Sequence, residues 1–250
     1  MQQEIENIKS TIVALFADAK SVSEFGVVKE RSNSLNEVSD LMESSPVTAL
    51  ADQIRQVVAK LADADPHKIS EKPSWLDKFL GKSLEAKVRY QVARGELDEL
   101  LKQTGVIAGH VKNTISAIEL MLIDLNDEVL RLEAHIQAGR EFLKENPSAG
   151  LPVAGSINFD NTRERFGRKL ANLETLVTSH VMSIEQMKLT KAHGVDMLDR
   201  FQETCTILVP VWRQHTLALV SSKNMNPEMI ERATKAHEAL IKSLSQAMVD

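Results

Sequence analysis

Residues 97–143, LDELLKQTGVIAGHVKNTISAIELMLIDLNDEVLRLEAHIQAGREFL, carry the stripe that decides the fold. Steps of four and three lead from Leu97 through Leu101, Thr104, Ala108, Val111, Ile115, Ile118, Leu122, Leu125, Val129, Leu132, Ile136 and Gly139 to Leu143, and most of these places are apolar. The spacing averages about 3.5 residues against the ~3.6 of a straight α-helix, which predicts one very long helix with a sustained packing edge. At about 1.5 Å per residue the stretch spans roughly 70 Å, more than a single compact core needs.

The same spacing returns at Phe166, Leu170, Leu173, Val177, His180, Ile184, Met187, Lys191, Gly194, Leu198, Phe201, Cys205 and Leu208. Between the two stripes, Asn146-Pro147 and the run to Gly155 forbid helix continuation, and Asp160 or Asn161 is placed to cap a new start. Two matched stripes joined by a reversal predict a long antiparallel helical hairpin, coiled-coil-like in its periodicity. Pro210 is expected to kink or break the second arm, and Asn226-Pro227 to open a C-terminal helix with Ile230, Ala233, His237, Leu240 and Leu244 inward.

The N-terminal part reads as short helices. Ile5, Ile8, Ile12 and Leu15 share one face, Leu35, Val38 and Leu41 another, and Leu50, Ile54, Val57 and Leu61 a third. Ser45 is placed to cap the third helix with Pro46 at its first position. The expected division is therefore residues 1–80, a short-helix region, and residues 81–250, the hairpin with its C-terminal helix. With 43% hydrophobic residues but only 4% aromatic ones, the composition suits an all-α protein rather than a sheet.

A formal net charge of −5 and the lack of a basic run argue against nucleic-acid binding. The lone Cys205 cannot form an internal disulfide, and the start of the chain lacks the charged and apolar parts of a secretory signal, so a cytoplasmic protein is expected. Residues 206–220 are apolar but interrupted by Pro210, Arg213 and His215, and read as buried helix.

No phosphate loop, Cys-x-x-Cys pair or His-Glu-x-x-His helix occurs, so no enzyme and no cofactor or metal is expected. His180, Lys191 and Cys205 interrupt the second stripe and are the polar positions to test. On one helix they lie about 16 and 21 Å apart, too far to share an ion, and isolated polar residues in such a stripe usually set register. Cys205 on an apolar face should have a raised pKa and be a slow nucleophile. Met182, Met187 and Met197 do not hold one face and read as gap-fillers. Trp212 with Arg213 after Pro210 reads as an anchor at a helix end.

Five stretches carry a family likeness: residues 22–27 with Phe25 and Gly26; residues 75–90 with Trp75, Phe79, Leu84 and Lys87; residues 165–173 with Phe166, Arg168 and Leu170; residues 183–189 with Gln186; and residues 209–214 with Pro210, Trp212 and Arg213. Their order and spacing over roughly residues 20–220 resemble the toxic anion resistance family, the TelA-like tellurite resistance proteins of bacteria. Two departures stand out: Gly167 replaces a usual Glu, and His215 stands where a Gln would fall. The resemblance implies a stress-response protein, cytoplasmic or peripheral at the inner face of the membrane, and carries no catalytic residues over. The functional expectation is a non-enzymatic scaffold that binds other proteins, able to form oligomers. Its alternatives are binding or thiol-based reduction of tellurite through Cys205, and membrane-surface association through the opening helix or through Trp75-Leu76 and Phe79-Leu80 beside Lys72, Lys78 and Lys82.

Overall fold

A stripe that holds one side of a helix for a dozen turns forces the helix to continue wherever that side stays covered. A computed structural model of the protein describes residues 2–17, 21–27, 34–65, 69, 82–151, 161–221 and 227–246. Every regular element among them is helical: α1 (Gln2–Ala17), a 3-10 turn (Ser21–Glu24), α2 (Ser34–Glu43), α3 (Val47–Asp63), α4 (Lys82–Glu145), α5 (Thr162–Glu203), a π-helical turn (Thr204–Leu208), α6 (Val209–Ser221) and α7 (Pro227–Gln246). The fold is all-α. Trp75, Phe79 and the division at residues 80 and 81 lie outside the described residues.

Contacts group the chain into two compact units, Met1–Ser44 with Ala117–Thr190 and Ser45–Ser116 with Lys191–Asp250. Both long helices contribute to each. At 64 residues α4 is about 96 Å long, more than one core can cover, so the two halves of its stripe collect separate sets of short helices. Each predicted position of both stripes is buried or half-buried.

In the first unit Ile118 and Leu125 of α4 share a core with Ile184 and Met187 of α5 and Val38 of α2. Nearer the chain reversal, Leu132, Ile136 and Phe142 pack with Phe166, Leu170 and Leu173, closed over by Ile12, Val22 and Phe25. The pairing is antiparallel. Phe16 stands 5.1 Å from Phe142 and 5.2 Å from Phe166, and Phe25 stands 4.9 Å from Phe166, in tilted and edge-on arrangements that suit ring quadrupoles. Gly139 lets the two helices approach: a Cβ there would meet Leu170 Cδ2 at 2.6 Å.

Among the described residues the Arg163 guanidinium ties the two ends of the reversal together. Arg163 donates to the Leu143 and Asn146 carbonyls, both at 2.8 Å, satisfying acceptors left open where α4 ends. Asn161 caps α5, its Oδ1 accepting the Glu164 N–H at 3.1 Å, while Asp160 lies outside the described residues. Gly150 turns the chain with φ +68°, where a Cβ would come within 2.9 Å of the Arg163 nitrogen.

In the second unit Leu50, Ile54, Val57 and Leu61 of α3 pack on Tyr90, Leu97, Ala108 and Val111 of α4 and on Leu208, Val209 and Trp212. Gly194 of α5 faces Ile115 at a distance where a Cβ would sit 3.1 Å away. One local expectation is corrected, and one half of another. Pro46, not Ser45, occupies the cap position of α3, with no side-chain hydrogen bond, and its carbonyl accepts the Leu50 N–H at 2.9 Å. The helical run is not broken at Pro210, so that half of the expectation fails. The chain widens into a π turn, in which the Val209 N–H reaches the Thr204 carbonyl five residues back, and helix resumes at once.

Candidate functional site

The family-like stretches meet in pairs. In the first unit the turn at residues 21–27 lies on the start of α5: a Cβ on Gly26, which has φ +72°, would come within 2.8 Å of Leu173. Phe25 packs on Phe166, and Lys169 donates to the Ser23 carbonyl at 2.9 Å. Burial draws the Lys169 pKa down. Residues about 145 positions apart in the chain thus form one contact, with Phe25, Gly26, Phe166 and Leu170 inside it. Arg168 and Gln186 are exposed instead, and Arg168 pairs with Glu164 at 2.9 Å.

Beneath that contact runs a buried polar chain that the sequence reading missed. Glu128, only 6% exposed, accepts the Arg131 Nε at 2.9 Å and Nη2 at 2.5 Å, and Nη2 also donates to the Gly26 carbonyl at 3.1 Å. His135 Nδ1 donates to the Arg131 carbonyl at 2.8 Å, and its ring lies 5.4 Å from Phe25. His180 of α5 is 2% exposed, and its Nδ1 has no hydrogen-bond partner among the described residues. Burial lowers its pKa, and the Glu128 charge partly opposes this. Of this group the sequence singled out His180; for the rest the hint was a Glu and an Arg three apart beside the stripe.

In the second unit Trp212 is fully buried, with its ring 5.7 Å from Tyr90, and its indole N–H donates to the Ala64 carbonyl at 2.7 Å. His237 of α7, 1% exposed, brings Nε2 to 3.4 Å from the Leu61 carbonyl. Two side chains from later helices therefore serve carbonyls at the C-terminal end of α3. Burial lowers the His237 pKa; the Leu61 carbonyl and Asp65 pull it up, His215 pushes it down, and Glu238 pulls it up. Arg213 pairs with Asp98, and Pro210 is exposed.

His180 belongs to the first unit, Lys191 and Cys205 to the second. Cys205 is half-buried, and burial raises its thiol pKa, which suppresses the thiolate that redox or metal chemistry requires. Among the described residues no three His, Cys, Asp or Glu side chains are placed to share a metal ion. An open groove in the first unit is lined by Glu133, Ile136, Arg140, Glu141, Glu174 and Val177, among others, with Arg140 paired to Glu174 at 2.6 Å. Three carboxylates around one neutralised guanidinium make a poor receptor for an oxyanion.

Fold and polar clusters together define an all-α protein organised by two long antiparallel helices, in which Arg131, Lys169, Trp212 and His237 each reach a backbone carbonyl of another segment. Residues 5–249 match the family described as toxic anion resistance protein (TelA), and the chain belongs to that family. Among curated proteins it is 59% identical over 235 residues to protein KlaA of Escherichia coli, covering 94% of this chain and 91% of KlaA. It is also 23% identical over 236 residues to protein KlaB of Escherichia coli, covering 86% of this chain and 62% of KlaB. No solved structure matches it significantly.

Proposed function

We propose that the protein acts in toxic anion resistance, with tellurite as the anion, as a non-enzymatic cytoplasmic scaffold that binds other proteins and does not transform the anion itself. One observation carries the reading: the family-like residues Phe25, Gly26, Phe166, Leu170 and Trp212 are engaged in helix-to-helix packing, which leaves their side chains unavailable to a diffusing substrate. Family membership supplies the link to toxic anions. A frame of this kind acts by presenting its outer faces, where a few apolar anchors supply most of the binding energy.

Cys205→Ser separates this reading from thiol-based reduction of tellurite. The scaffold reading expects cells carrying the variant to keep their tellurite tolerance, measured as minimal inhibitory concentration, with the protein folded by circular dichroism. Loss of tolerance with the fold intact overturns it in favour of a redox thiol. Membrane association is the remaining alternative, since within Ala86–Glu145 one window reaches the length and mean hydropathy, 1.3, of a membrane-crossing helix. Flotation of the full chain with vesicles of anionic lipid would reveal it.

A further inference from the structure

In the first unit the outer side of α4 is less polar than a solvated helix face should be. Leu120, Ile123 and Leu130 are 66%, 60% and 59% exposed, while Ile118 and Leu125 beside them in sequence are buried. At about 100° per residue these three fall on one face, opposite the packing stripe, over roughly 15 Å of helix. Isolated exposed apolar residues are ordinary, but three within three turns of one helix make a patch.

Asp124 and Asp127 lie on the same face, both exposed and without an ion-pair or hydrogen-bond partner among the described residues. The neighbouring cation, Arg131, is committed to Glu128 and to the Gly26 carbonyl. The patch is thus a row of apolar anchors with two negative charges among them, and this charge decides what can cover it. A membrane carrying anionic lipid is repelled at that spot. A second copy of the chain, itself at net charge −5, would set carboxylates against carboxylates. A helix with Leu-like anchors at i, i+3 or i+4 and Lys or Arg beside them satisfies both the apolar residues and the aspartates.

We infer that the outer face of α4 formed by Leu120, Ile123, Asp124, Asp127 and Leu130 docks a basic amphipathic helix of a partner protein. The inference rests on the scaffold reading and names the chemistry of its partner. Apolar contact supplies the affinity, and the two aspartates select against acidic helices and set the salt dependence.

The test uses the full chain and, as probe, a labelled amphipathic peptide of about five turns built from Leu and Lys, with a Leu and Glu peptide as its counterpart. Fluorescence anisotropy should show binding of the Lys peptide only. Leu120→Ser/Ile123→Ser/Leu130→Ser should weaken binding about tenfold or more, and Asp124→Asn/Asp127→Asn about threefold or more with a flatter salt dependence. Both variants alter exposed side chains, so their urea midpoints should stay near that of the unaltered protein. Equal binding by the variants, equal binding of the Glu peptide, or flotation on anionic vesicles that the apolar variant abolishes each overturns the inference. So does a concentration-dependent dimer that the apolar variant abolishes. If Cys205→Ser retains tolerance while the patch variants bind the probe normally, the docking face falls and the scaffold reading stands. Loss of tolerance in folded Cys205→Ser removes the scaffold reading itself.

Discussion

The first unit ties its short elements with several aromatic rings, whereas the second, beside its aliphatic core and His237, uses one indole for both packing and hydrogen bonding. Phe16, Phe25, Phe142 and Phe166 share the packing of α1 and the 21–27 turn, and Glu128 with Arg131 adds a separate polar tie. In the second unit Trp212 packs in the core that α3 and α4 share and supplies one of the hydrogen bonds at the end of α3, His237 the other. Losing the indole removes packing and a hydrogen bond together, so the two units should respond unequally to truncation of an aromatic ring.

Trp212→Ala is expected to have the largest effect, about 3–5 kcal/mol, because it opens a cavity and strands the Ala64 carbonyl. Trp212→Phe keeps most of the volume and should cost about 1–3 kcal/mol through the lost donor. Urea unfolding checks both, and a Phe16→Ala variant that proves more damaging than Trp212→Ala breaks the comparison.

Glu128→Gln should cost about 1–3 kcal/mol by leaving a half-buried guanidinium poorly matched. Pairing it with Arg131→Met should recover part of that loss. A double variant whose cost is the plain sum of the two singles shows that the pair does not act as a unit.

Gly139 and Gly194 give a finer contrast. Alanine in mid-helix gains up to about 1 kcal/mol over glycine, but a new Cβ at Gly139 is crowded by Leu170 and Phe166 and should destabilise by about 1–2 kcal/mol net. At Gly194 the approach to Ile115 is looser, and Gly194→Ala should be within about 0.5 kcal/mol of neutral. Thermal melts of the two variants should rank in that order.

Acid gives the smallest and most distributed effect. His180 in the first unit and His237 in the second both have pKa values lowered by burial, so the unfolded chain binds more protons than the folded one below the ordinary histidine value of 6.5. Stability is therefore held above that pH and declines below it, until the lowered folded-state values are reached. His180→Gln and His237→Gln should each flatten the decline in urea midpoint between about pH 7.5 and about pH 5.5. An unchanged slope in both would exclude these imidazoles as its source.

Helix length and inward side were legible from spacing alone. Even His180 and Lys191 appear at least half-buried where the four-three rhythm places them. Trp212 was legible as an anchor, but its acceptor was not, because every backbone carbonyl offers the same chemistry and only packing selects the one at Ala64. Pro210 misled only as a breaker: a proline removes a backbone donor, yet a π turn just before it leaves helix on both sides, where Leu208, Val209 and Trp212 are buried. Ser45 misled in the same way, since a hydroxyl beside a proline can cap a helix only if the backbone turns it towards the open N–H groups.

By itself the sequence determined that this chain is helical, where its long helices run and which side of each is covered, because backbone geometry ties those properties to residues three and four apart. Tertiary structure alone decided the pairing: which short helix covers which half of a stripe, which distant motifs touch, and which apolar residues stay outside. A greasy edge has a period but no address, and its partner is chosen by shape, by close approach at glycines such as Gly139, and by buried donors that find acceptors only after the helices have met.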